Sequence, residues 1–170
     1  MSGPRWLNTS EMRAWRGLMG MSRLLFEQLG RELGKEAGLS MADYEVMVQL
    51  SEAEGRRLRM SDLAAMSLLS KSRLSHQVAR MEATGWVRRE SCPSDRRGAF
   101  AVLTDEGFAV LADAAPGHVE GVRHHLFDLL DPEEIEQLGA ITTKLYQHLN
   151  AVVERDCAAP KRDGAVSEAV

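Results

Sequence analysis

The chain has 170 residues, 44% of them hydrophobic and 5% aromatic, with a formal net charge of −4. That suffices for one packed domain with terminal extensions, and the bias toward Leu, Met, Ala and Val leans helical. No run approaches the roughly 20 apolar residues that span a bilayer. The start Met-Ser-Gly-Pro-Arg-Trp carries no apolar leader, and Cys92 and Cys157 form neither a disulfide framework nor a metal-ligand spacing. A cytoplasmic protein without cofactor, metal or membrane partner is expected. The net charge hides a polarity: residues 56–97 hold ten cations against four anions, net +6, which leaves −10 for the rest. A basic middle between acidic ends fits a localised phosphate-binding face.

Five helix starts share one pattern, a capping residue with an apolar residue just before it and another four positions after it. Asn8, Ser40, Ser70, Thr104 and Asp131 are these caps. Glu11, Asp43 and Glu134 add an acid at the third helical position. Pro132 sits at the first position of the last helix, where its missing N–H costs nothing. Periodicity then predicts helices over residues 9–35, 41–53, a short one from Ser61, 71–84, 105–129 and 132–154. A kink or break is expected at Pro116-Gly117. Residues 86–91 and 99–103 read as two strands, with Pro93-Ser94-Asp95 and Gly98 in the turn between them.

In the fourth helix, Leu74, Val78 and Met81 form the packing stripe. Ser72, Arg73, His76, Ala79 and Arg80 lie opposite, flanked by Ser75 and Gln77. Small polar groups with two guanidiniums can enter a major groove, where Arg binds guanine with two hydrogen bonds. Free N–H groups at the Ser70 cap, beside Lys71, suit a phosphate. Asp95, Arg96 and Arg97 crowd the hairpin tip, where an Arg oriented by Asp95 can reach a narrow minor groove. Each feature alone is also explained by a solvated surface. Together they read as a winged helix-turn-helix that binds double-stranded DNA.

The chain resembles the MarR family of bacterial transcription regulators over about residues 42–107. The resemblance is carried by Met60-Ser-Asp-Leu-Ala64, Leu69-Ser-Lys-Ser-Arg-Leu74, Gly85-Trp-Val-Arg-Arg89, Asp95-Arg-Arg97 and Leu103-Thr-Asp-Glu-Gly107. It implies a homodimer on a near-palindromic operator, usually a repressor relieved by a small molecule or by oxidation. It also implies that Asp95 pairs with Arg97 and that Arg97 enters the minor groove. Ser70, Lys71, Ser72, Arg73, Ser75, His76 and Arg80 fall at positions that the family uses for major-groove and phosphate contacts. The expected organisation is mainly α with a small β-hairpin. Residues 1–38 form an N-terminal dimerisation helix, 39–104 the winged helix-turn-helix lobe, 105–157 the C-terminal dimerisation helices and 158–170 a disordered tail. Long apolar stripes in the terminal helices point independently to a second copy of the chain.

Three sensing chemistries compete. A small aromatic or anionic effector would meet Trp15, Met19, Tyr44, Met47 and His118, with Arg16 for a carboxylate or phenolate; the apolar members are equally explained as core. Cys92 lies near Arg89, Arg96 and Arg97, which would acidify a redox-active thiol. No Cys precedes it, unlike in peroxide-sensing members of the family. His118, His124, His125 and His148 lie on the last helices without a structural zinc spacing. A winged helix that holds protein rather than DNA is the rival outside gene regulation. No enzyme is expected, since the chain lacks a glycine-rich phosphate loop, a Gly-x-Ser-x-Gly elbow and a His-Glu-x-x-His helix.

Overall fold

The computed structural model describes residues 3–92 and 95–158, with the side chains of 95–97 and 154–158 outside the description. The expected turn residues Pro93 and Ser94 and the tail from residue 159 also lie outside the described residues. The elements are α1 (Thr9–Glu36), α2 (Met41–Glu52), β1 (Arg57–Arg59), α3 (Met60–Met66), α4 (Lys71–Ala83), β2 (Val87–Cys92), β3 (Asp95–Leu103), α5 (Asp105–His125) and α6 (Pro132–Ala158). Short 3-10 turns precede β1 and follow α5. No helix among the described residues is long and apolar enough to cross a membrane. The chain divides into two units, residues 1–125 and 126–170.

All five expected caps form. Asn8 accepts from the Glu11 amide while Glu11 returns to the Asn8 amide, and Asp131 and Glu134 do the same. Ser40, Ser70 and Thr104 accept from Asp43, Arg73 and Gly107. Each such cap stabilises its helix by about 1 kcal/mol.

In the first unit the core joins α2, α3, α4 and the sheet. Met47, Leu50, Leu63, Leu74, Val78 and Ala101 are fully buried, with Leu33, Leu39 and Leu111 closing the sides. The expected two-stranded hairpin is part of a three-stranded antiparallel sheet, ordered β1-β3-β2. Arg57 pairs with Val102, and Val87 with Leu103. β1 escapes prediction because three residues, Arg-Leu-Arg, are too short to show alternation. β3 begins at Asp95 rather than at Ala99.

The root of the hairpin explains the Leu-Thr-x-x-Gly motif. Gly85 turns the chain at φ +80°, which L side chains rarely adopt. Thr104 Oγ1 donates to the carbonyls of Gly85 at 2.7 Å and Trp86 at 3.1 Å. A Cβ on Gly107 would collide with the Trp86 carbonyl and stand 2.9 Å from Leu103 Cδ1. Only glycine lets α5 start against the sheet here.

Of the kink or break expected at Pro116-Gly117, the break does not occur: α5 runs through Pro116 to His125. One lost hydrogen bond is outweighed by the packing of α5 on α1 and α2, where Leu111 and Ala114 are buried. The helix ends four residues before the expected Leu129, in a 3-10 turn. In the second unit, α6 exposes Ile141, Leu145, Tyr146 and Leu149, each with between 46% and 71% of its surface open.

Candidate nucleic-acid interface

Ser70 caps α4, and Lys71, Ser72, Arg73, Ser75 and His76 stand exposed along its first turns. The helix is anchored behind them by Leu74, Val78 and Met81, at most 1% exposed. Ser70 and these five are therefore free of packing duty. Gln77, expected beside them on the DNA face, is turned inward. It is 7% exposed, and its Nε2 donates to the Ala42 carbonyl at 2.6 Å. It lies three residues after Leu74 and four before Met81, on the packing seam itself.

Arg80 is also engaged. Its guanidinium donates to Asp43 Oδ1 at 2.7 Å, from a side chain that is 61% exposed, onto a carboxylate that is 7% exposed. Asp43 shares four hydrogen bonds with three partners. Its amide donates to Ser40 Oγ, Ser40 Oγ donates to its Oδ2, and Gln77 approaches its Oδ1 at 3.4 Å beside Arg80. The third-position acid of α2 thus faces α4 instead of closing a reciprocal box with Ser40.

The sheet is tied to the same helix. Arg89 donates to the Ser75 carbonyl at 2.7 Å, faces Glu82 at 3.4 Å, and its amide donates to Glu82 Oε1. A groove of about 400 Å³ runs between β1, the starts of α3 and α4, and the sheet. It is lined by Arg59, Ser61, Lys71, Ser75, Arg89 and Gly98, among others. Arg59, Ser61 and Arg89 escape the helix-centred sequence reading. For Arg89 the signal was alternation, which sends it and Arg88 to opposite faces of β2, whereas Arg59 pairs with Phe100 at the sheet edge and lies 5.5 Å over that ring. On the other face, Arg57 lies 4.1 Å over the Phe100 ring, and Glu90 binds Arg88 at 2.6 Å and Arg57 at 3.7 Å. Arg56 covers Phe108 at 3.7 Å and binds Asp105 at 3.1 Å. Part of the central positive charge thus has structural work away from the groove. Asp95, Arg96 and Arg97 open β3, and their side chains lie outside the described residues.

The expected effector residues do not gather as a set. Tyr44 and His118 meet, their rings 4.5 Å apart, in a cleft of about 560 Å³ between α1, α2, α5 and the turn after α3. Met47 is fully buried in the core cluster that joins α2, α3, α4 and the sheet. Trp15, Arg16 and Met19 lie exposed on the N-terminal half of α1, outside the cleft lining. Burial lowers the His118 pKa against the opposing pull of Glu32 and Glu45, and burial raises that of the Tyr44 phenol. His118 Nδ1 is buried without a hydrogen-bond partner among the described residues. His125 binds Glu32 at 2.7 Å; hydrogen bonds from Gln28 and then His125 lower the pKa of that acid.

The redox reading of Cys92 meets two obstacles: the thiol is 5% exposed, and Arg89 is turned to Ser75 and Glu82. Among the described residues no group of three or more His, Cys, Asp or Glu could hold a metal ion.

Residues 37–98 match the sequence model of the MarR family. The chain is 32% identical to the transcriptional regulator HosA of Escherichia coli, over 75% of this chain and 87% of that one. It is 28% identical to the HTH-type transcriptional regulator PecS of Dickeya dadantii, over 78% and 80%. Among solved structures it is similar to AbsC, a MarR family regulator from Streptomyces coelicolor, with 50% identity, a TM-score of 0.81, and 87% and 99% of the two chains covered. Sco3205 from the same organism, solved in complex with DNA, gives 48% identity and a TM-score of 0.82, over 88% and 93%. The family is one of regulators rather than enzymes. By its fold, its signature residues and these relatives, the chain belongs to the MarR family of winged helix-turn-helix, sequence-specific DNA-binding transcriptional regulators.

Proposed function

We propose that the chain is a homodimeric repressor of a near-palindromic operator, released by a small molecule bound in the Tyr44–His118 cleft. The observation that carries the DNA face is the row Lys71, Ser72, Arg73, Ser75 and His76, exposed on a helix whose other side is fully packed. In this reading Arg73, Ser72 and His76 meet base edges. Ser70, Lys71, Ser75 and the groove cations Arg59 and Arg89 meet phosphates. Asp95, Arg96 and Arg97 serve the minor groove. Arg80 and Gln77 hold the helix instead of reading sequence.

The dimer reading is supported in each unit separately. In α1, Trp15, Leu24 and Phe26 are 52–67% exposed. In α6, Leu145, Tyr146 and Leu149 form an open apolar face. Such faces suit a second copy, with residues 1–38 and 105–157 supplying the contacts. The test is sedimentation analysis with footprinting of the DNA beside the gene. A dimer protecting two half-sites centred about 10 base pairs apart supports the reading. A monomer at micromolar concentration, or protection without two-fold symmetry, contradicts it.

A further inference from the structure

We propose that the cleft between α1, α2, α5 and the α3–α4 turn selects a lipophilic amine, a cationic molecule with an apolar body, and not an organic anion. This rests on the reading of that cleft as the effector site. The walls are apolar, with Phe26, Met41, Tyr44, Val48, Leu68 and Val122 among them. Among the described residues their only charged one is Glu45, an exposed carboxylate of α2. Among the described residues no Lys or Arg lines the cleft, and Arg16, the expected partner for a carboxylate, lies elsewhere on α1.

An anion entering here would shed water and gain no counter-charge. An ammonium would meet the Glu45 carboxylate on the cleft lining. His118, whose ring meets Tyr44 in the lining, has its pKa lowered by burial and so adds no competing positive charge.

The cleft also reaches the turn that leads into the recognition helix. Met66, the last residue of α3, and Ser67 and Leu68 of the turn that follows it in the helix-turn-helix line it. Leu68 is 76% exposed and holds φ +52°, a strained conformation for a branched side chain. It lies two residues before Ser70, the cap of α4. A ligand body that covers Leu68 therefore acts on the start of the recognition helix.

The test is calorimetric titration of the full chain with three probes that share one ring system: 2-naphthylmethylamine, 2-naphthylmethanol and 2-naphthoate. The amine is expected to bind at least about tenfold more tightly than the carboxylate. Glu45→Gln should erase most of that preference while leaving the ligand-free protein's operator affinity unchanged. Equal or tighter binding of the carboxylate or the alcohol overturns the proposal. So does binding of none of the three, or a preference that survives Glu45→Gln. Operator affinity read in the same samples separates the two claims. An amine that binds with the expected preference but leaves the operator complex intact supports the ligand class and defeats the effector reading.

Discussion

Asp43 and Arg80 are joined at 2.7 Å across the junction of α2 and α4, so a buried acid at one helix start holds the exposed face of another. Asp43→Asn keeps the shape and removes the charge. It is expected to lower stability by about 1–2 kcal/mol. Operator affinity should fall several-fold at an unchanged salt slope, because no phosphate contact is lost. Lys71→Ala should instead reduce the slope by about one. Anisotropy titrations across a salt series distinguish the two. Equal slope changes would place Asp43 among charge effects and not positioning.

Arg73→Ala should relax specificity at one operator position, a loss of about 1–3 kcal/mol against the preferred base only. Gln77→Ala should do the opposite, lowering the melting temperature while leaving the ranking of operator variants untouched. A panel of singly substituted duplexes checks both.

Gly107→Ala should be among the most damaging small substitutions, costing about 3 kcal/mol. The obstacle is the Trp86 backbone, which has no rotamer to yield. Denaturant unfolding measures it. A loss below about 1 kcal/mol would mean that α5 can shift away from the sheet.

Much of this was legible in the chain. The five caps form because each rests on local hydrogen bonds whose partners are three residues away. The recognition helix and its buried stripe follow from spacing. What sequence could not weigh was tertiary competition. Pro116 does not break α5 because packing on α1 and α2 holds both halves. Gln77 looks like surface until Ala42, 35 residues earlier, offers its carbonyl. Arg59 and Arg89 join the groove only once β1 is known to lie beside β3. Met47 and Trp15 share an apolar character, but only the fold separates core from surface.

The burial of His118 makes stability depend on pH. Its folded pKa lies below the ordinary value of 6.5, so the unfolded chain binds the proton more readily. The contribution is complete above pH 6.5 and is lost as pH falls below it. Glu32 and Glu45 soften the effect, and the neighbouring Tyr44 stays neutral throughout. His118→Gln should flatten the fall in melting temperature between about pH 7 and 5. An unchanged profile would assign that fall to other groups.

Operator recognition is tested most directly by fluorescence anisotropy of the purified chain with the intergenic DNA beside its own gene. An unrelated duplex is the control, across about 50 to 200 mM salt. The account predicts strong preference for a near-palindromic fragment and a loss of affinity on the order of 10³-fold or more over that range. Equal binding to both duplexes, or affinity indifferent to salt, would contradict it.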